Sequence, residues 1–248
     1  MLNIVVNSNK FLVPMKNVPI IFALILSFSS YSQQSTTGPN KLYPILFNYA
    51  RDLYPEYVKI PFERKAILEE IANYIIGAQQ LDTSGKIIFI ETDHLARSVL
   101  VHAWAVAASY YYGIENVNIY SGGINAPGIS QNAIISLEKA GFIIYKIKEE
   151  NNPEYEIKYS YNVKPLILRS IKYNDKSNPN VNFGSIIVCP NADINLPVVK
   201  GNNFRTSLHY FDPSAFDGTP DATNLYLEKS KEIATEMFYL FYVIKNSK

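Results

Sequence analysis

Glu91-Thr92-Asp93-His94-Leu95-Ala96-Arg97-Ser98 is the stretch of this sequence whose residue types and spacing could do chemistry. It lies between an apolar run ending at Glu91 and a segment of helical pattern that begins at Arg97. A strand feeding a short loop into a helix makes an anion site, because the first helical N–H groups lack partners and the helix dipole favours negative charge there. Arg97, at the helix start, is placed to fork two N–H bonds to a tetrahedral oxyanion. Ser98 would set its hydroxyl against the loop residue at the strand end. The same spacing admits a simpler arrangement, with Arg97 at the surface paired to Asp93.

Other reactive groups are few. Glu91, Asp93 and Asp212 could converge as an acid–base set or around a hard divalent cation, but Arg97 would compete with any cation there. No resident metal and no cofactor is expected. His94, inside the loop, is the histidine to follow. His102 and His209 read as surface or cap residues, and the interval between His94 and His102 is not that of a metal-ligand pair. Cys189 is the only cysteine, which excludes an intrachain disulfide and a dithiol relay. It reads as a buried strand-end residue.

The elements that must position these groups follow from periodicity. Lys86 to Glu91 is a short apolar run, as expected of a parallel strand buried on both faces. Arg97 to Tyr112 has helical length and ends at Gly113. Val117 to Tyr120 reads as a strand stopped by Gly122-Gly123, Ser130 to Ala140 as a helix ending at Gly141, and Phe142 to Ile147 and Ser185 to Cys189 as further strands. This alternation implies right-handed βαβ crossovers and a parallel sheet. Glu149 to Asn182, rich in Asn, Lys and Tyr, reads as an excursion holding a strand pair around Tyr155 to Tyr159 and Leu166 to Tyr173. Its aromatic residues suit either a binding surface or a strand with one wet face. Pro197, Gly201 and Pro213 punctuate a loop region, and Ala222 to Ile244 closes the chain with a long helix. Upstream, Leu42, Ile45, Leu46 and Tyr49 share one helix face. Pro61 opens a second helix, with Ile67, Leu68, Ile71, Ile75 and Ile76 as its stripe. Trp104 and Tyr110 to Tyr112 read as core and helix-end packing.

The N-terminus carries a different signal. Met15-Lys16 is followed by a nearly unbroken apolar run, Val18 to Phe28, and by Ser30-Tyr31-Ser32, the order of a secretory signal peptide. The run falls short of the ~20 apolar residues that span a bilayer, and an uncleaved anchor is the alternative. The expected organisation is residues 1–32 as signal peptide (with Met15 as the alternative start), 33–84 as flexible leader and helical extension, and 85–248 as an α/β domain. The expected location is periplasmic or secreted, without stable membrane association after cleavage. Of 248 residues, 48% are hydrophobic and the formal net charge is +1. That is an ordinary globular composition, with no field to favour nucleic acid. Nothing in the sequence fixes the oligomeric state.

The loop is followed in order by Tyr120-Ser121-Gly122-Gly123, Ile187-Val188-Cys189-Pro190-Asn191-Ala192-Asp193, Phe211-Asp212-Pro213 and Asp217-Gly218-Thr219-Pro220. Over roughly Lys86 to Ile244 this order resembles the low-molecular-weight protein tyrosine phosphatases, and within them the thioredoxin-coupled arsenate reductase branch. The resemblance implies a three-layer α/β fold, with an open four-stranded parallel sheet and helices on both faces. It places Arg97 and Ser98 on the family's oxyanion-clamping arginine and its neighbouring hydroxyl, with Thr92, Asp93, His94, Leu95 and Ala96 completing the loop. Asp212 falls on the general acid, and Glu91 on the nucleophilic cysteine. A carboxylate is a far poorer nucleophile toward a phosphate ester than a thiolate, and it is an anion where the substrate anion must go. Cys189 matches a relay cysteine of the reductase branch, but its partner position is Leu196. The resemblance therefore implies a catalytically inactive relative that binds an oxyanion or a protein ligand. The alternatives are an altered hydrolase using Glu91 and Asp212 as acid and base, or an arsenate reductase-like role.

Overall fold

The computed structural model describes residues 42–247, apart from residues 82 and 150. The expected signal peptide and nearly all of the leader lie outside the described residues. None of the described helices is long and apolar enough to cross a membrane. In chain order the helices are α1 (Pro44–Arg51), α2 (Phe62–Gln80), α3 (Arg97–Tyr112), α4 (Gln131–Ala140), α5 (Pro190–Asn195) and α6 (Ala222–Asn246). The strands are β1 (Gly85–Glu91), β2 (Val117–Gly123), β3 (Ile143–Lys148), β4 (Glu154–Lys158), β5 (Leu166–Leu168), β6 (Phe183–Ile187) and β7 (Asn202–Ser207). Short 3-10 turns cover Tyr54–Lys59 and Pro213–Phe216.

Ile87, Ile88, Phe89 and Ile90 are all buried. Such a strand needs a neighbour on each edge and a layer on each face. β1 has both. β2 and β6 flank it in parallel and β7 adds beyond β6, giving the order β2-β1-β6-β7. Ile87, Phe89, Ile186 and Val188 share one apolar cluster with α1, α2, α3, α4 and α6. Ile88, Ile90, Ile187 and Cys189 form the other, covered by Ala192 of α5 and by Leu196, Val199 and Tyr173. The fold is α/β with an open four-stranded parallel sheet, its second helical layer reduced to α5.

Two strand assignments differ from the sequence expectation. β3 does not enter the parallel sheet. It pairs antiparallel with β4, and β4 with β5, in a separate three-stranded sheet. Tyr155, Ile157 and Leu168 of that sheet join the main core, while Ile143, Tyr145 and Ile147 are exposed. β3 is exposed on both faces, at Ile143, Tyr145 and Ile147 and at Lys146 and Lys148, which an interior parallel strand is not. The vacant place in the parallel sheet is taken by β7, within the stretch that reads as loop. Its sequence Asn-Asn-Phe-Arg-Thr-Ser is polar because an edge strand with half-exposed side chains does not need a continuous apolar run.

α1 and α2 are part of the same core. Leu46, Leu68, Ile71 and Ile75 are fully buried in the cluster that holds Trp104 and Phe238, and Tyr49 stacks on Trp104 with ring centroids 5.4 Å apart.

Candidate functional site

The loop after β1 is fixed from the side by the segment that follows β2. The backbone N–H groups of Ile124, Asn125 and Ser130 donate to the carbonyls of Glu91, Thr92 and Leu95 at 3.1, 2.7 and 2.9 Å. The end of β2 comes so close that a Cβ on Gly123 would sit 2.6 Å from the His94 nitrogen and 2.3 Å from the Asn125 oxygen. Only glycine permits that approach, which gives the Gly-Gly after Ser121 its role.

Within the loop the donors converge, and they converge on Glu91. Its Oε1 accepts from the backbone N–H groups of Leu95 at 2.7 Å, Ala96 at 3.1 Å and Ser98 at 3.4 Å, and from the Ser98 hydroxyl at 2.8 Å. Its Oε2 takes the Arg97 Nε–H at 3.2 Å. Arg97 then reaches Asp212 with Nη2 at 2.7 Å and the Tyr210 carbonyl with Nη1 at 3.5 Å. Side-chain exposure is 2% for Glu91 and 10% for Arg97. A buried carboxylate is tolerable only with such a full set of donors, and here the set is the one an entering oxyanion would require. Arg97 is thus neither at the surface nor paired with Asp93. Asp93 instead accepts from the Asn125 side chain at 3.0 Å.

The remaining expected residues fall around this cradle. Thr92 Oγ1 accepts from the Asn191 amide at 3.1 Å and lies 3.4 Å from Cys189 Sγ. Leu95 and Ala96 contribute backbone only. Asp212 Oδ1 accepts from the Ser214 N–H at 3.0 Å and its hydroxyl at 2.7 Å, an N-cap that fixes the turn at Pro213. Cys189 is buried at the end of β6, where its Sγ accepts from the Ala192 N–H at 3.4 Å. Among the described residues no group of three or more His, Cys, Asp or Glu could hold a metal ion.

The histidines are arranged differently from expectation. His102 is not a surface residue but is buried, as is His94. His94 holds a left-handed backbone, with φ of 46°, uncommon for a residue with a side chain. Its ring and carbonyl answer for that geometry. Nδ1 accepts from the Ile171 N–H at 2.8 Å, and the carbonyl from the Ser170 hydroxyl at 3.1 Å. Because Nδ1 is an acceptor, Nε2 must carry the proton, and it donates to Ser121 Oγ at 2.8 Å. The same Ser121 hydroxyl is hydrogen-bonded to His102 Nδ1 at 2.8 Å. Burial pushes the pKa of His94 down to about 4. Burial, with the repulsion of His94, pushes that of His102 down to about 3. Both rings are neutral in neutral solution. His209 is half-exposed, its Nε2 3.0 Å from Asp193.

One network has no signature in the sequence. Arg64 of α2 donates to both oxygens of Glu236 on α6, at 2.8 and 2.5 Å, and to the His209 carbonyl at 2.9 Å. Tyr210 donates its hydroxyl to Glu236 at 2.6 Å and lies under the Arg64 guanidinium, 4.8 Å from the ring centroid. The residue whose carbonyl touches Arg97 is thereby tied to α2 and α6.

No family model matches the sequence, and no curated protein matches it. Among solved structures, the chain is similar in fold to a YwlE mutant from Bacillus subtilis, at 14% identity and a TM-score of 0.44, covering 66% of this chain and 100% of that one. It is similar also to a low molecular weight protein tyrosine phosphatase from Bacillus subtilis, at 14% identity and a TM-score of 0.43, covering 65% and 97%. A third is the low molecular weight protein tyrosine phosphatase from T. tengcongensis, at 16% identity and a TM-score of 0.40, covering 66% and 100%.

Proposed function

We propose that this protein is an exported relative of the low-molecular-weight protein tyrosine phosphatases, inactive in phosphotransfer and serving as a binding or scaffold module. The kinship rests on the ordered motifs from Glu91 to Pro220, and export on the N-terminal pattern. The observation that carries the inactivity is the Glu91 carboxylate. It occupies the loop's N–H groups, the Ser98 hydroxyl and Arg97 at once. The group at the nucleophile position is a weak nucleophile toward phosphate, and it also fills the space that a phosphate would need. An acid–base pair of Glu91 and Asp212 has nothing in its favour, since both are engaged by Arg97 and Glu91 has no open face. A reductase cycle needs a second thiol, and Cys189 is alone.

The test is hydrolysis of an aryl phosphate by the purified mature chain. The expected rate equals that of buffer and does not respond to Asp212→Asn. Turnover that Asp212→Asn abolishes would overturn the proposal. Glu91→Cys asks whether the rest of the site is still poised: a thiolate in this cradle is expected to give measurable hydrolysis, because Arg97, Ser98 and Asp212 are already in place.

A further inference from the structure

The three-stranded sheet ends in β3, whose outer edge is open. The strand pairs with β4, and no other segment pairs with it among the described residues. The opposite end of that sheet is tied to the rest of the fold, since the chain after β5 bridges to β2 at Lys172 and Gly123. An open edge presents a row of unpaired N–H and C=O groups, a template for one more strand. The composition of β3 suits that use, being β-branched or aromatic apart from its lysines. Ile143, Tyr145 and Ile147 are 39%, 52% and 44% exposed, so the residues that favour pairing are not taken up by the core.

Lysine on an edge strand usually deters pairing by its charge. Here both lysines are answered from their own chain, Lys146 by Glu149 at 3.2 Å and Lys148 by Glu154 at 3.3 Å. An arriving strand meets ion pairs rather than free ammonium groups. The strand that fits best is β3 of a second copy. Ile143 and Tyr145 stand opposite Lys158 and Glu156 of β4, on the exposed face, while Ile144 and Lys146 stand opposite Ile157 and Tyr155 on the other. Antiparallel pairing centred on Tyr145 sets Tyr145 on Tyr145 and Ile143 on Ile147, the aromatic and aliphatic pairs that stabilise a sheet. On the other face each Ile144 meets the stem of a Lys146. A slip of one residue would turn the exposed face of each copy against the inner face of the other. A slip of two would set Ile143 on Glu149 or Ile147 on Gly141. The irregularity in the β3–β4 register, between Lys146 and Lys148, lies outside the pairs at the centre.

We infer that this protein associates as a homodimer through β3, the two strands antiparallel about a two-fold axis at Tyr145, joining two three-stranded sheets into one. Such pairing satisfies both open edges at once, so it closes at two copies. It uses no residue of the Glu91 cradle and stands whether or not the cradle is inactive. A single strand pair buries little area, so the association depends on concentration. Sedimentation equilibrium of the mature protein over rising concentration is expected to show a monomer–dimer equilibrium. Tyr145→Lys and Tyr145→Glu each set like charges across the axis and should weaken it about tenfold. Tyr145 is exposed, so both variants are expected to fold, which circular dichroism checks. Mixed in equal amounts, they set opposite charges across the axis and should dimerise more tightly than either alone. That rescue distinguishes pairing at Tyr145 from association through another surface. A monomer at every concentration, a dimer that both substitutions leave intact, or a mixture no tighter than its components would overturn the inference. Should either variant fail to fold, the unmodified protein compared with the remaining variant decides.

Discussion

At the scale of one residue, Glu91 acts as a ligand that the chain carries for itself. Three backbone N–H groups, one hydroxyl and one guanidinium meet its carboxylate, and removing it leaves them facing an empty, buried space. Glu91→Ala is expected to lose about 3 kcal/mol of stability, the scale of a buried charge set deprived of its partner, measured by urea unfolding. The same variant reopens an anion site. Millimolar phosphate or sulfate should raise its melting temperature by mass action and leave that of the unmodified protein where it was. A phosphate-dependent shift in the unmodified protein equal to that of the variant would show that Glu91 does not fill the site.

At the scale of the elements, what could be read in the sequence was what local spacing controls. The β1-loop-α3 unit was legible because an apolar run, a loop and a helical stripe are contiguous, and Arg97 and Ser98 follow from that spacing. β7 was not, because an edge strand with half-exposed side chains has no apolar run to betray it. Nor was the place of β3, since strand pattern shows a wet face but not which sheet receives it. The burial of His102 was also missed: its partners, Ser121 and His94, come from other elements, and only the fold brings them together. The Arg64–Glu236 pair joins residues far apart in the chain for the same reason. It gives a prediction about how α2 is held. Glu236→Ala takes both carboxylate contacts from Arg64, which keeps only the His209 carbonyl, and leaves the Tyr210 hydroxyl unanswered. It is expected to cost about 3 kcal/mol, whereas the double change Arg64→Met with Glu236→Leu should cost less. A double-mutant cycle by chemical denaturation separates the two outcomes; strictly additive losses would mean that the pair contributes nothing as a pair.

At the scale of the whole molecule, the two buried histidines make stability depend on pH. In an unfolded chain histidine titrates near ~6.5, while in the fold His94 is pushed down to about 4 and His102 to about 3. Below the unfolded value and above the folded ones, the unfolded chain binds up to two more protons than the native protein, so acid favours unfolding. The contribution is complete above pH ~6.5 and is lost as the pH falls toward the folded values, with a limiting slope of about 2.7 kcal/mol per pH unit. The hydrogen bonds give the reason in geometry. A proton on His94 Nδ1 would point at the Ile171 N–H, and a second proton on either ring would place a charge inside the buried His94–Ser121–His102 cluster. The informative window is pH 6.5 to 5, above the range in which unfolded carboxylates take up most of their protons. Urea midpoints should fall steeply across it, and His102→Asn should remove about half of that slope. A flat profile from pH 6.5 to 5 would mean that the rings are charged or hydrated in the native protein.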